Sequence, residues 1–263
     1  MKELKILSIG NSFAMDTMEY LTKIILRLGY DRVKLGDLYI GGCSINRHYN
    51  NAVNDAPEYR YYVNDGTGWE ATQGYKMSDA ITSEKWDWIS IQHGTGDGSR
   101  YTSEESYEKL LPLIEYVRGL AWQGVKIAFN MAWVGEPYHH HPELASYNGD
   151  QLLMYEKLTD LTKRIILPMK QIDCVSPTGT AVQNARTSKL ETISRDGYHL
   201  TYDTGRYLAG LTFFKALTGT DVSGIEWAPI GVDEYAKKVV IESVENAFSK
   251  PFEVTQLTVA KQG

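Results

Sequence analysis

The chain alternates short, almost wholly apolar runs with longer stretches of helical period. Runs rich in Ile, Leu and Val fall at 4–9, 33–40, 87–92, 125–130 and 171–175. Each has the length of a strand, and apolarity at successive positions means that both faces are covered, as in a parallel sheet flanked by helices. Over 14–28 the apolar spacing places Met15, Met18, Leu21, Ile25 and Leu28 on one helix face, with Gly29 as a left-handed terminator. Over 103–119 it turns Leu110, Leu111, Ile114 and Val117 inward, behind Thr102 or Ser103 as cap and Glu105 or Ser106 in the first turn. Further helices are predicted near 148–166, 201–217 and 232–248.

Two stretches break the alternation. Residues 59–75, YRYYVNDGTGWEATQGY, interleave aromatic and polar positions around Asn64-Asp65-Gly66, which predicts a β-hairpin inserted beside the sheet. Residues 133–150 are long for a βα loop and rich in His, Pro and aromatics, so they are expected to overhang the strand ends. No internal repeat or low-complexity segment interrupts the chain. The expectation is one domain over 1–250 and a short extended tail over 251–263.

Composition narrows the function classes. At 263 residues and 43% hydrophobic, the chain can bury the core of one large α/β domain. The net charge is -6 and the pI 5.6, and Lys and Arg are scattered. With no basic stripe, nucleic acid and anionic membranes are excluded as expected partners, and a small neutral or cationic molecule fits better. Cys43 and Cys174 lie in separate strand-like contexts, which reads as two buried free thiols and no disulfide or zinc framework. No apolar run reaches the roughly 18 residues of a membrane span, and the amino terminus starts on a strand instead of a leader. The compartment stays open.

The chemistry concentrates at the carboxyl ends of the expected strands. ILSIGNSFAMD, residues 6–16, runs a strand into Gly-Asn-Ser and then a helix, so Ser12 sits where an α/β protein exposes backbone N–H groups to developing negative charge. A serine needs a base oriented by a carboxylate to act as a nucleophile. Far along the chain, SRDGYHLTYD offers one: Asp196 and His199 lie three apart, and one turn can join carboxylate to imidazole. The structural alternatives are a helix N-cap for Ser12 and a surface helix start for Asp196 and His199.

IGNSF, GGCS, QHGTGD and DGYHL, in that order on successive strand ends, resemble the four blocks of the SGNH (GDSL-type) hydrolase superfamily. Asn11 stands where many members have Asp, which is similar to a less characterised GNSF branch. The resemblance covers about 1–220 and implies a three-layer α/β/α sandwich, flavodoxin-like, with a parallel five-stranded sheet ordered 2-1-3-4-5. It also implies Ser12 as nucleophile, His199 as general base and then acid, Asp196 as its orienting partner, and an oxyanion hole containing the Ser12 N–H and the N–H of Gly42, with Gly41 as its neighbouring alternative. A tight turn at these glycines is compatible with that role.

The third block departs from the family pattern. Aligning Gly94 with the block's glycine puts Gly96 where an asparagine side chain is expected. A lost oxyanion donor costs roughly a hundred- to a thousand-fold in rate, so a substitute is required. Gln92 is the choice, ahead of His93 and the Gly96 backbone; its alternative is a polar strand end bonded to backbone. Trp133, with Tyr138 and Asn130, is read either as a sugar-stacking wall or, for Trp133, as core. His139, His140 and His141 lack companion ligands at metal spacing and read as a pocket-rim loop; His48 receives no role. The expectation is a serine esterase for a small acyl ester, with O-acetyl groups on a saccharide favoured, needing no cofactor or metal. The competing expectation is an SGNH-fold glycan-binding module with weakened catalysis. A nucleotide or flavin binder would need a glycine-rich phosphate loop that GNSFAMD does not supply.

Overall fold

The computed structural model describes residues 1–94, 100–137 and 142–259. In chain order these form β1 (Glu3–Gly10), α1 (Ser12–Met18), α2 (Leu21–Arg27), β2 (Arg32–Tyr39), α3 (Ile45–Val53), β3 (Tyr59–Asn64), β4 (Trp69–Tyr75), α4 (Met77–Thr82), β5 (Trp88–Ile91), α5 (Leu110–Leu120), β6 (Lys126–Asn130), α6 (Pro142–Ala145), α7 (Gln151–Leu161), β7 (Cys174–Ser176), α8 (Thr178–Ala185), α9 (Thr204–Thr218) and α10 (Glu234–Ser249). They fall into two compact units, one of Met1–Met15, Gly29–Asn130 and Asp160–Val175, the other of Asp16–Leu28, Met131–Thr159 and Ser176–Gly263. No helix among the described residues is long and apolar enough to cross a membrane.

The first unit is built on a sheet of seven strands, not five, in the order β4-β3-β2-β1-β5-β6-β7. Leaving out β3 and β4, the order of the remaining strands is the expected 2-1-3-4-5. The hairpin is not an insertion beside the sheet: β3 pairs antiparallel with β2 and β4 with β3, so the hairpin extends the sheet at its β2 edge. Gly36 on β2 is what admits it. A Cβ there would meet Tyr61 Oη at 2.8 Å, Leu7 Cδ1 at 2.9 Å and Trp86 Cη2 at 3.1 Å, so the absent side chain leaves room for Tyr61 of β3. Tyr61 also stacks on Tyr75, 4.5 Å between ring centroids, across the hairpin.

Period-two alternation divides the central strands between two environments. Leu7, Ile9, Leu38, Ile40, Ile89, Ile91, Ile127 and Phe129 join one buried apolar cluster with Leu110, Leu113, Ile114 and Val117 of α5. Leu111, expected inward, is only partly buried. The opposite face carries a buried polar row, because Ser8 is in register with Asp37 on one side and Ser90 on the other. Burial pushes the Asp37 carboxyl up to about 7, against a Ser8 hydrogen bond that lowers it. Asp37 Oδ1 has no partner among the described residues.

Tertiary contacts reshape the predicted helices. The first splits into α1 and α2 around Glu19 and Tyr20; Glu19 pairs with Arg206 at 3.1 Å and Tyr20 Oη donates to the Tyr202 carbonyl at 2.8 Å. Gly29 takes the left-handed φ of 92° expected of it. The helix expected from 103 begins as a 3-10 turn, Glu104–Tyr107, and becomes α5 only at Leu110. There the Ser106 carbonyl faces His93 Nε2 at 3.1 Å instead of serving a longer helix, and Ser103 makes no side-chain cap bond. The predicted 148–166 helix is α7 followed by a π turn over Thr162–Ile166.

In the second unit α9 is buried along most of its length, and Gly210 lets it approach its neighbours: a Cβ there would lie 2.9 Å from Ile24 Cδ1 and 3.3 Å from the Thr17 carbonyl. The described part of the tail is tied to α8 and the residues that follow it. Asn184 accepts the Thr255 N–H at 2.7 Å, Thr187 accepts the Leu257 N–H at 3.1 Å, and Leu257 is buried. Both cysteines are free, but only Cys43 is fully buried; Cys174 is half-buried, with burial pushing its thiol up to about 11.

Asp37 generates a stability prediction. Its folded-state pKa lies above the unfolded 3.8, so the stability it contributes is full below pH 3.8 and is lost as pH rises through about 7. Thermal unfolding of Asp37→Asn and wild type across pH is expected to diverge over that window by a few kcal/mol in favour of the variant, then to stay parallel. Curves parallel throughout would show that the carboxyl is ionised at little cost.

Candidate active site

In the first unit three chain segments meet at the carboxyl ends of β1, β2 and β5. The Ile40 N–H donates to the Gly10 carbonyl at 3.3 Å and the Gln92 N–H to the Ile9 carbonyl at 3.2 Å, which fixes where β2 and β5 end relative to β1. Asn11 then does two jobs with one buried side chain. Its Oδ1 accepts the Phe13 N–H at 2.9 Å, capping α1, and its Nδ2 donates to the Cys43 carbonyl at 3.3 Å. The capping side chain is therefore that of Asn11, and Ser12, half-buried, is the first helical residue instead of the cap.

The glycine block forms the tight turn its sequence allows. The Cys43 N–H closes onto the Ile40 carbonyl at 3.1 Å, with Gly42 at φ 63° where a type II turn needs left-handed backbone. Gly41 is exposed on this turn. Gly94 rests directly against it: a Cβ at 94 would lie 2.4 Å from the Cys43 carbonyl, 2.6 Å from that of Gly42 and 2.6 Å from Asn11 Nδ2.

Gln92, at the end of β5, is buried, and neither its Nε2 nor its Oε1 has a hydrogen-bond partner among the described residues. A buried amide without a partner is costly. His93 is different: Nδ1 faces the Gly94 carbonyl and Nε2 the Ser106 carbonyl at 3.1 Å, so both ring nitrogens are engaged by backbone. Burial pushes it down to about 4. His48 is a core residue, its Nδ1 2.9 Å from Tyr59 Oη and its pKa pushed down by burial to about 3. Gly96 lies outside the described residues.

The second unit contains the carboxylate and imidazole. His199 Nδ1 is 2.7 Å from Asp196 Oδ2, while Asp196 Oδ1 accepts the N–H groups of Tyr198 at 2.9 Å and His199 at 2.7 Å. Burial alone would raise the Asp196 carboxyl, but these bonds from His199 and Tyr198 outweigh it and hold it below its ordinary value. The pair stands in a tight loop, not at a helix start: the Arg195 N–H donates to the His199 carbonyl at 2.9 Å, Ser194 bridges Leu200 antiparallel, and Gly197 supplies a φ of 81°. Its side chains are 28% exposed for His199 and 49% for Asp196, so solutes can reach them.

Trp133 corrects one of the two readings of that residue. At 0% exposure it has no free face for a sugar, and its Nε1 donates to the Tyr198 carbonyl at 2.8 Å, so it packs in the core and supports the loop. Glu136 supports the same loop through its N–H to the Gly197 carbonyl at 2.7 Å and by accepting the Ser194 hydroxyl at 3.1 Å. Asn130 is buried at the end of β6. Among the described residues no group of three His, Cys, Asp or Glu side chains could hold a metal ion. Tyr138 and His139 to His141 lie outside the described residues.

A family model, the domain of unknown function DUF4886, matches residues 5–247. The chain belongs to the DUF4886 family. It is similar to a solved DUF4886 protein from Bacteroides uniformis, 34% identical over 98% of this chain and 99% of the other, with a TM-score of 0.91. A member of the lipolytic G-D-S-L family from Veillonella parvula matches at TM-score 0.51 and 15% identity, over 81% of this chain and 97% of that one. A catalytic mutant of an acetylxylan esterase from Geobacillus stearothermophilus matches at TM-score 0.51 and 12% identity, over 87% and 98%. These two likenesses establish the fold as that of the SGNH hydrolases. No curated protein matches.

In this DUF4886 chain the sequence pattern did not reveal Asp16 or Glu136. Asp16 has a faint signal, since it is the one charged residue of α1, placed between Met15 and Met18. The glycine contacts can be tested by thermal unfolding. Gly94→Ala is expected to lose about 1–3 kcal/mol, because two of its three nearest atoms are backbone and cannot give way. Gly41→Ala, with only Tyr39 Oη at 3.3 Å, is expected to stay near wild type. Equal losses would contradict the packing of the third block on the second.

Proposed function

We propose that the chain is a serine esterase that hydrolyses a small acyl ester, with O-acetyl groups on a carbohydrate as the favoured substrate. Ser12 Oγ attacks the ester carbonyl as its proton passes to His199 Nε2; Asp196 holds the imidazole and balances its positive charge. The tetrahedral oxyanion is met by the N–H groups of Ser12 and Gly42 and by the Gln92 side-chain amide. Collapse breaks the bond to the alcohol oxygen, which takes the proton from His199. Water, deprotonated by His199, then attacks the acyl-serine; the bond between the acyl carbon and Ser12 Oγ breaks, Oγ takes the proton back from His199, and the acid is released. No metal or cofactor enters these steps.

The observation that carries this reading is the 2.7 Å contact between His199 Nδ1 and an Asp196 carboxylate held ionised by two further N–H donors. A carboxylate so placed fixes the ring tautomer with Nε2 as the basic nitrogen. The buried Gln92 amide at the strand end is the second support, since among the described residues its N–H donor has no hydrogen-bond partner. The fold shared with an acetylxylan esterase is consistent with the substrate proposed but does not decide it.

Hydrolysis of p-nitrophenyl acetate and of acetylated sugars provides the test. Ser12→Ala is expected to lower kcat by at least about a thousand-fold; wild-type turnover in that variant would remove Ser12 as the nucleophile. Gln92→Leu is expected to lower kcat about 10²- to 10³-fold while leaving Tm equal or higher, because it deletes both an oxyanion donor and an unsatisfied buried amide. Unchanged kcat in Gln92→Leu would place the third donor elsewhere.

A further inference from the structure

Asp16 is fully buried, and both of its carboxylate oxygens are engaged within the second unit. Oδ1 accepts from Arg195 Nη1 at 3.0 Å and from Arg206 Nε at 2.8 Å, and Oδ2 accepts the backbone N–H of Leu200 at 2.9 Å. The two arginines also lie over one ring, their Cζ atoms 4.7 and 4.8 Å from the centroid of Tyr202. Arg195 Nη1 further donates to the Leu200 carbonyl.

These partners are not scattered. Arg195 immediately precedes Asp196 and Leu200 immediately follows His199, so one carboxylate grips both ends of the five-bond loop that carries the proposed acid–base pair. Trp133 and Glu136 support the same loop, through the Tyr198 carbonyl, the Gly197 carbonyl and the Ser194 hydroxyl. On the far side of His199, the Leu200 N–H is held by Asp16. Asp16 also stands four residues after Ser12 on the same helix, α1.

We infer that Asp16 is a positioning residue: through Arg195 and the Leu200 N–H it sets the orientation of the Asp196–His199 pair without itself meeting substrate. The inference rests on the esterase reading for its kinetic consequence, but its structural consequence does not. A buried carboxylate facing two guanidinium groups is strongly constrained in position, because moving it leaves charge uncompensated. Precision of this kind matters to catalysis, since about 1 Å of misplacement can cost on the order of a hundred-fold.

The test pairs a spectroscopic readout with a kinetic one. Nitrogen-15 NMR of His-labelled chain reports which His199 nitrogen bears the proton and how strongly Nδ1–H is hydrogen-bonded, in wild type, Asp16→Asn and Asp16→Ala. Asp16→Asn keeps an acceptor for the Leu200 N–H but drops the charge that orders Arg195 and Arg206, and is expected to fold. The expected result is a weakened Nδ1–H signature in both variants, larger in Asp16→Ala, with kcat lowered about 10- to 100-fold and KM within about twofold of wild type. If Asp16→Ala does not fold, Arg195→Met replaces it, with the same expectation. A folded Asp16→Asn with an unchanged His199 spectrum and unchanged kcat overturns the inference. A wild-type chain with no esterase activity whose His199 spectrum still shifts in Asp16→Asn would defeat the esterase reading and leave the positioning role standing.

Discussion

An imidazole can serve as a base only if its proton sits on the nitrogen facing away from the reacting atom, and a loop of a few residues here places a carboxylate against one ring nitrogen of His199. Asp196 and His199 are close in sequence, so loop closure costs little; what must be supplied is the exact rotation of two side chains. Asp196 Oδ1 spends its lone pairs on the N–H groups of Tyr198 and His199, which leaves Oδ2 aimed at Nδ1. Gly197, with its left-handed φ, lets the backbone turn tightly enough for those N–H groups to point at one oxygen. Trp133, Glu136 and Asp16 bond to the same loop or to the residues flanking it.

The first unit solves a complementary problem. Where parallel strands end, backbone groups lose their ladder partners and must find others. Asn11 answers with one amide, capping α1 and tying the β2 turn, and Gly94 seals that turn from the third side. An aspartate at position 11 could accept the Phe13 N–H but could not donate to the Cys43 carbonyl. This gives a physical meaning to asparagine in the GNSF sequence. Among the described residues Gln92 is the one whose side-chain amide is buried with both of its polar atoms unpartnered, and groups of that kind concentrate at functional sites.

Much of the scaffold was legible in the sequence because burial on both faces of a parallel strand leaves an unmistakable apolar run, and the five such runs became β1, β2, β5, β6 and β7 in the expected order. The hairpin was legible as a hairpin, but alternation does not say which edge it joins; that depended on Gly36 making room for Tyr61. The division of the first helix was hidden for the same reason, since Tyr20 and Glu19 are drawn to Tyr202 and Arg206, far away in the chain. Trp133 was noticed for its aromatic ring, yet its contribution is an N–H to a loop carbonyl. Asp16 could be seen as a charge among methionines, but its partners lie about 180 residues on and only the fold joins them.

The central claim is that Ser12 is an activated nucleophile. Treatment of the chain with a fluorophosphonate, followed by peptide mapping by mass spectrometry, tests it most directly, since the reagent forms a stable adduct only with a serine whose base is in place. The account predicts a single adduct on the peptide containing Ser12, absent when His199 is replaced by Gln. An unmodified chain, or an adduct on any other serine, would contradict it.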